Sequence, residues 1–140
     1  MYREEEPEPQ VLVVVFASRV YGMDPKTGKR LWEHDLDSPG SDTGVELMLD
    51  AQMLVACTQQ ELFAFGYPTG TLLWRKKLAG TYSGRPVMLV SRGHLLVGRG
   101  GEVCCYTMQG ELVWHDGFPG KGIGRVALAL PGNVRQMDQY

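Results

Sequence analysis

Any ligand chemistry in this chain has to come from a small set of side chains. Arg85 and Arg125 each follow directly on a repeated glycine, Gly84 and Gly124, and each opens an apolar run. A guanidinium holds a carboxylate or phosphate through two parallel N–H donors, so this pair is the candidate ligand-binding site, suited to a small anion or an acidic peptide. The plain alternative is a pair of solvated strand ends. His34, His94 and His115 have no metal-ligand spacing with one another or with Cys57, and no Cys-x-x-Cys occurs, so no metal site is expected. Asp24, Asp35, Asp50 and Asp116 are scattered among turns and strand ends, where Asp accepts local backbone hydrogen bonds. Gly98-Arg99-Gly100-Gly101 has the glycines of a phosphate loop, but it lies between two strand-like runs and opens no helix, and it reads as a hairpin turn. No catalytic constellation emerges.

The 140 residues, 44% apolar and 21% charged, suit one globular domain. Fourteen basic against sixteen acidic residues, a net charge of −2, give no broad attraction to nucleic acid or to an anionic membrane, and neither is expected as a partner. The start, Met-Tyr-Arg-Glu-Glu-Glu-Pro-Glu-Pro, lacks the basic and apolar regions of a secretory signal, so the expected location is cytoplasmic. Three cysteines, two of them adjacent, fit a reducing compartment. The longest apolar run, Val11–Ala17, is too short for a membrane helix. Residues 1–10 read as an acidic disordered tail and 132–140 as a C-terminal tail.

The elements that must position the arginines are repeats. Trp32, Trp74 and Trp114 recur at a nearly constant interval, and each is preceded four positions earlier by glycine: Gly28, Gly70, Gly110. A second series, Gly44, Gly84 and Gly124, recurs in phase with the first and at a strictly constant interval. A period of about 40 to 45 residues built from short strands is the mark of propeller blades. Twelve strand-like runs are expected, from Val11–Ala17 to Val126–Leu130, in three blades of four covering about 11–50, 53–91 and 94–131. Arg85 and Arg125 then stand at the start of inner strands, where the remaining copy has Val45.

Gly22-Met23-Asp24-Pro25-Lys26-Thr27-Gly28-Lys29-Arg30-Leu31-Trp32 and Ala64-Phe65-Gly66-Tyr67-Pro68-Thr69-Gly70-Thr71-Leu72-Leu73-Trp74 resemble the A-x-D-x-x-T-G-x-x-x-W repeat of the pyrroloquinoline-quinone-like propeller family. The resemblance covers nearly all of the chain outside its tails. It implies that Trp32, Trp74 and Trp114, with the two glycine series, dock neighbouring blades. The chain departs from the repeat by placing Gly22 and Cys105 at the Ala position and by losing the Asp in the second and third copies. Some quinoprotein dehydrogenases of that family carry vicinal cysteines near their cofactor, as Cys104-Cys105 would be. Successive strand residues face opposite sides, however, so these thiols should diverge, and no cofactor is expected.

Aligning the copies makes the first run the second strand of a blade and the last run the first strand of another. Three blades are too few to close a ring, whereas propellers have four to eight. The all-β fold is therefore expected to close as a six-bladed homodimer, Val126–Leu130 of each chain exchanging onto the Val11–Ala17 edge of the other. The expected function is a non-enzymatic binding scaffold that engages a protein or small anionic ligand at its rim or channel mouth. The alternatives are a quinone-dependent dehydrogenase or its degenerate relative, and one half of a hetero-oligomeric propeller.

Overall fold

The computed structural model describes residues 10–37, 44–50, 52–81 and 84–136. Among them the chain forms four antiparallel sheets. The first holds β1 (Leu12–Phe16), β2 (Arg19–Met23) and β3 (Arg30–Asp35). The second holds β4 (Glu46–Leu49), β5 (Met53–Cys57), β6 (Glu61–Gly66) and β7 (Leu72–Lys77). The third holds β8 (Val87–Ser91), β9 (His94–Arg99), β10 (Glu102–Thr107) and β11 (Leu112–Asp116), and a two-stranded sheet of β12 (Ala127–Leu130) and β13 (Asn133–Gln136) follows. Within a sheet each strand pairs with its chain neighbour, so every sheet is a meander of hairpins.

Two expectations are corrected. The repeat ranges 11–50, 53–91 and 94–131 do not coincide with the sheets: β4 pairs with β5 of the second sheet and not with β3. The sequence period marks where the pattern recurs, whereas hydrogen bonding decides where a blade is cut. The last run also has a partner in its own chain, because β13, inside the expected 132–140 tail, pairs with it from Ala127↔Gln136 to Leu130↔Asn133. Pro131-Gly132, with Gly132 at φ +80°, makes the tight turn that this hairpin needs. The acidic tail lies outside the described residues apart from Gln10.

The hairpins ahead of Trp32 and Trp74 close alike, and the one ahead of Trp114 is a residue shorter, with the Gly110 amide donating to the Thr107 carbonyl at 3.0 Å. Asp24 accepts from the Lys26 and Gly28 amides through its carboxylate and carbonyl, both at 2.8 Å, and Gly70 N–H donates likewise to the Gly66 carbonyl. Gly28, Gly70 and Gly110 have φ of +77°, +78° and +86°, a region that residues with a Cβ avoid. Just beyond, all three copies carry a register shift at the same place, Gly22/Met23, Ala64/Phe65 and Cys105/Tyr106. There each tryptophan faces a small residue across the strand pair: Trp32 faces Gly22, Trp74 faces Ala64 and Trp114 faces Cys105. The first pair shows why the position is small, since a Cβ on Gly22 would stand 2.1 Å from Cε2 of Trp32.

Two apolar layers bind the three larger sheets to one another. Val20 and Leu36 of the first sheet and its linker pack on Leu54, Ala56, Phe63 and Phe65 of the second. Val55, Cys57, Leu62, Ala64 and Leu78 of the second pack on Met88, Leu95, Val97, Cys104 and Tyr106 of the third. Alternate residues of β5 thus serve opposite seams, as strand alternation demands.

The turn glycines test this seam geometry. Gly70→Ala meets both the left-handed φ and the Trp32 ring, 2.3 Å from its new Cβ, whereas Gly28→Ala meets the same φ with nothing within 4 Å. In dilute protein, denaturant unfolding should show a loss of about 3 kcal/mol for Gly70→Ala and about 1 kcal/mol for Gly28→Ala.

Candidate functional site

Arg85 and Arg125 each lie two residues ahead of an inner strand, β8 and β12, and the fold brings them to one depression. It has a volume of about 290 Å³ and is lined by Gly84, Arg85, Gly100, Ile123, Gly124 and Arg125. A second depression of about 310 Å³ shares Ile123, Gly124 and Arg125 and adds Lys121, Phe118 and Gly101. Among the described residues no carboxylate lines either one. Both arginines are exposed. The stem of Arg85 crosses Gly44, where a Cβ would stand 2.6 Å from its Nε. A Cβ on Gly84 would make ordinary contact with the Gly100 amide at 3.5 Å. Gly124 has nothing within 4 Å, so packing does not account for that glycine. Val45, in the equivalent place of the first copy, packs beside the first seam.

The tryptophans bridge the seams. The Trp32 indole N–H donates to the Pro68 carbonyl at 2.9 Å, with its ring held between Gly22 of its own sheet and Gly70 of the next. Trp74 donates to the Met108 carbonyl at 3.0 Å and lies over Gly110. In both cases the acceptor stands two residues before the turn glycine. Trp114 follows β10 in the same register but is 45% exposed, and Gly28 has no ring over it.

Arg99, Glu102 and Tyr106 clamp the linker between the second and third sheets. Arg99 is buried and donates to the Gln59 carbonyl and, at 3.0 Å, to the Ala79 carbonyl. The Ala79 amide in turn donates to the Tyr106 hydroxyl at 2.8 Å. Glu102, also buried, accepts from the Thr81 amide at 2.8 Å and from His115 Nε2 at 2.6 Å. Arg99 was legible in principle, because it shares strand parity with the core residues Leu95 and Val97. The histidines are partly structural: half-buried His34 donates to the Gly70 carbonyl across the first seam at 2.6 Å. His94 bonds the carbonyl of Arg92 in its own turn.

Cys104 and Cys105 are free thiols that diverge: Cys104 enters the second seam and Cys105 lies opposite Trp114. Burial pushes both thiols up, which favours the protonated form over the thiolate. Among the described residues no three His, Cys, Asp or Glu side chains gather to hold a metal. Among the described residues nothing is assembled for a quinone cofactor with its metal ion: the vicinal thiols point apart, and the buried carboxylate Glu102 is taken up by His115 and a backbone amide.

Repeated four-stranded meanders joined by tryptophan-sealed seams define a β-propeller segment. The model of the family described as outer membrane protein assembly factor BamB matches residues 58–134, more than half of the chain, and the chain belongs to this family of pyrroloquinoline-quinone-like repeats. A search of curated proteins finds no match. Among solved structures, BamB from Moraxella catarrhalis superposes with a TM-score of 0.57 at 19% identity, covering 79% of this chain and 35% of that one. A quinohemoprotein alcohol dehydrogenase from Comamonas testosteroni gives 0.60 at 21% identity, covering 81% and 21%. A protein of unknown function from Bacteroides caccae gives 0.54 at 18%, covering 77% and 40%. These likenesses establish the fold, and this chain spans less than half of each structure.

The clamp sets an alkaline limit on stability. Burial holds the Tyr106 phenol up, to about 12 against an ordinary 10.0, and raises the Cys57 and Cys104 thiols above 9.0. A raised native pKa means that stability is complete below the unfolded value and declines as pH rises through the native one. The urea midpoint should therefore be level below pH 9 and fall between pH 9 and 12. Tyr106→Phe should make the fall between pH 10 and 12 shallower, while lowering stability at neutral pH by about 1–3 kcal/mol because the Ala79 amide loses its acceptor.

Proposed function

We propose that this chain is a non-enzymatic binding scaffold: a propeller segment that completes a six-bladed ring with a second copy and binds a carboxylate- or phosphate-bearing ligand at the channel mouth. The observation that carries the ligand reading is the convergence of Arg85 and Arg125, one repeat apart in the chain, on one depression, with Lys121 in the adjoining one. Two guanidinium groups around one hollow and an ammonium group in the next raise the local anion concentration, and a guanidinium fork supplies directional donors. The glycine floor at Gly84, Gly100 and Gly124 leaves room for a ligand to approach the backbone. In a two-copy ring the mouth would carry four such guanidinium groups. A scaffold role agrees with the family description, an assembly factor.

Isothermal titration with citrate, inorganic phosphate and a short acidic peptide tests the site. At low salt at least one of these should bind with a signal that weakens as ionic strength rises. The double variant Arg85→Ala/Arg125→Ala should lose about tenfold or more in affinity with an unchanged melting temperature. Equal binding by the parent and the double variant would remove the proposal.

A further inference from the structure

Both internal seams are built from the same parts. Trp32 and, four residues on, Leu36 insert against the Gly70 turn and against Leu54, Phe63 and Phe65 of the next sheet. Trp74 and Leu78 insert against the Gly110 turn and against Leu95, Cys104 and Tyr106. Leu36 and Leu78 are 0% and 8% exposed as a result. The third copy has the same plug, Trp114 and Phe118, but these are 45% and 46% exposed. The matching socket is at the other end of the same chain. Strand register makes Leu12 and Tyr21 the counterparts of Leu54 and Phe63. Leu12 is 49% exposed, and Gly28 holds its left-handed turn with nothing within 4 Å. Phe16, of the same parity as Leu12, is 71% exposed. An open plug and an open socket of one design are therefore present on a single chain.

Backbone pairing gives an independent reason for the same joint. In the two four-stranded sheets the second strand, β5 or β9, lies between an inner strand and the third strand. β1 is the second strand of its sheet and has β2 on one side with no described strand on the other. β12 is an inner strand, with Val126 beside it packed on Gly98 of β9, and the place next to it is held by β13. β1 and β13 are thus rivals for one position. Leu12-Val13-Val14-Val15-Phe16 is apolar and rich in β-branched residues, whereas Asn133-Val134-Arg135-Gln136 has a single apolar residue, so β1 is the better occupant of a strand between two seams.

We infer that two copies join head to tail, with β1 of the partner displacing β13 from beside β12 and Trp114 seating over the turn at Gly28 of the partner subunit. The Trp114 indole N–H then donates to the carbonyl of the partner's Lys26, the residue equivalent to Pro68 and Met108. Phe118 covers the partner's Leu12 and the partner's Tyr21. Each joint is heterologous, and two of them close a ring of six four-stranded blades, in which β12 of each chain completes the three-stranded sheet of the other. β13 becomes a built-in competitor that keeps the joint reversible. This inference rests on the two-copy reading above and assigns it a surface.

Sedimentation velocity over a micromolar concentration series tests it on three chains: the full chain, Trp114→Ala, and a chain ending at Gly132. The full chain should associate reversibly to twice 15.6 kDa. Ending the chain at Gly132 removes the rival strand and should tighten the dimer about tenfold or more, and Trp114→Ala should weaken it by a similar factor. Melting of dilute Trp114→Ala should match the parent, because the residue is outside both seams, whereas Trp74→Ala should melt well below it. A dimer that neither change affects, or one weakened by ending at Gly132, would overturn the joint while leaving the two-copy reading in place. Monomers throughout would overturn both. Anion titration on the same samples reports the Arg85/Arg125 site separately.

Discussion

The fold depends on an indole ring closing the gap between one sheet and the next. A tryptophan on the outermost strand can do this only if the residue across from it is small, the neighbouring turn offers a bare glycine, and a carbonyl stands where the indole N–H points. Gly22, Gly70 and the Pro68 carbonyl meet these conditions for Trp32, and Gly110 and the Met108 carbonyl meet the last two for Trp74. A flat ring fills the wedge-shaped gap between twisted sheets and leaves its one polar atom satisfied. The left-handed turn, the register shift and the small cross-strand residue accompany that ring in all three copies, including the third, where Trp114 is not covered.

Around this common device the two seams differ. The first adds His34 on the Gly70 carbonyl and Tyr67, whose hydroxyl both donates to the Val11 carbonyl and accepts from the Val11 amide. The second is tied by Arg99, Glu102 and Tyr106 to the linker around Ala79. Burying a guanidinium and a carboxylate there is tolerated because each has several directed partners, and no buried side-chain donor or acceptor lacks a hydrogen-bond partner among the described residues.

Much of this was legible in the residues. The tryptophan and glycine periods mark the repeat, and strand alternation separated Cys104 from Cys105 correctly. Arg85 and Arg125 could be paired from their spacing alone. The polar clamp was harder to read, because Arg99, Glu102 and Tyr106 find their partners in backbone atoms of a linker, and backbone atoms leave no signature in a sequence. His34 is hidden for the same reason, since its partner is the carbonyl of Gly70.

The sequence by itself determined the unit of construction: a four-strand repeat, its turns, its sealing tryptophan and the family to which it belongs. These are set by local backbone preference and side-chain alternation, which act over a few residues and recur with the period. Only the tertiary structure decided that β13 stands beside β12, that the linker takes up Arg99 and Glu102, and that Arg85 and Arg125 share one hollow. Those outcomes turn on which strand edge or side chain wins a place among several with similar local credentials. That competition is resolved by packing across seams, between residues that are neighbours in space and distant in the chain.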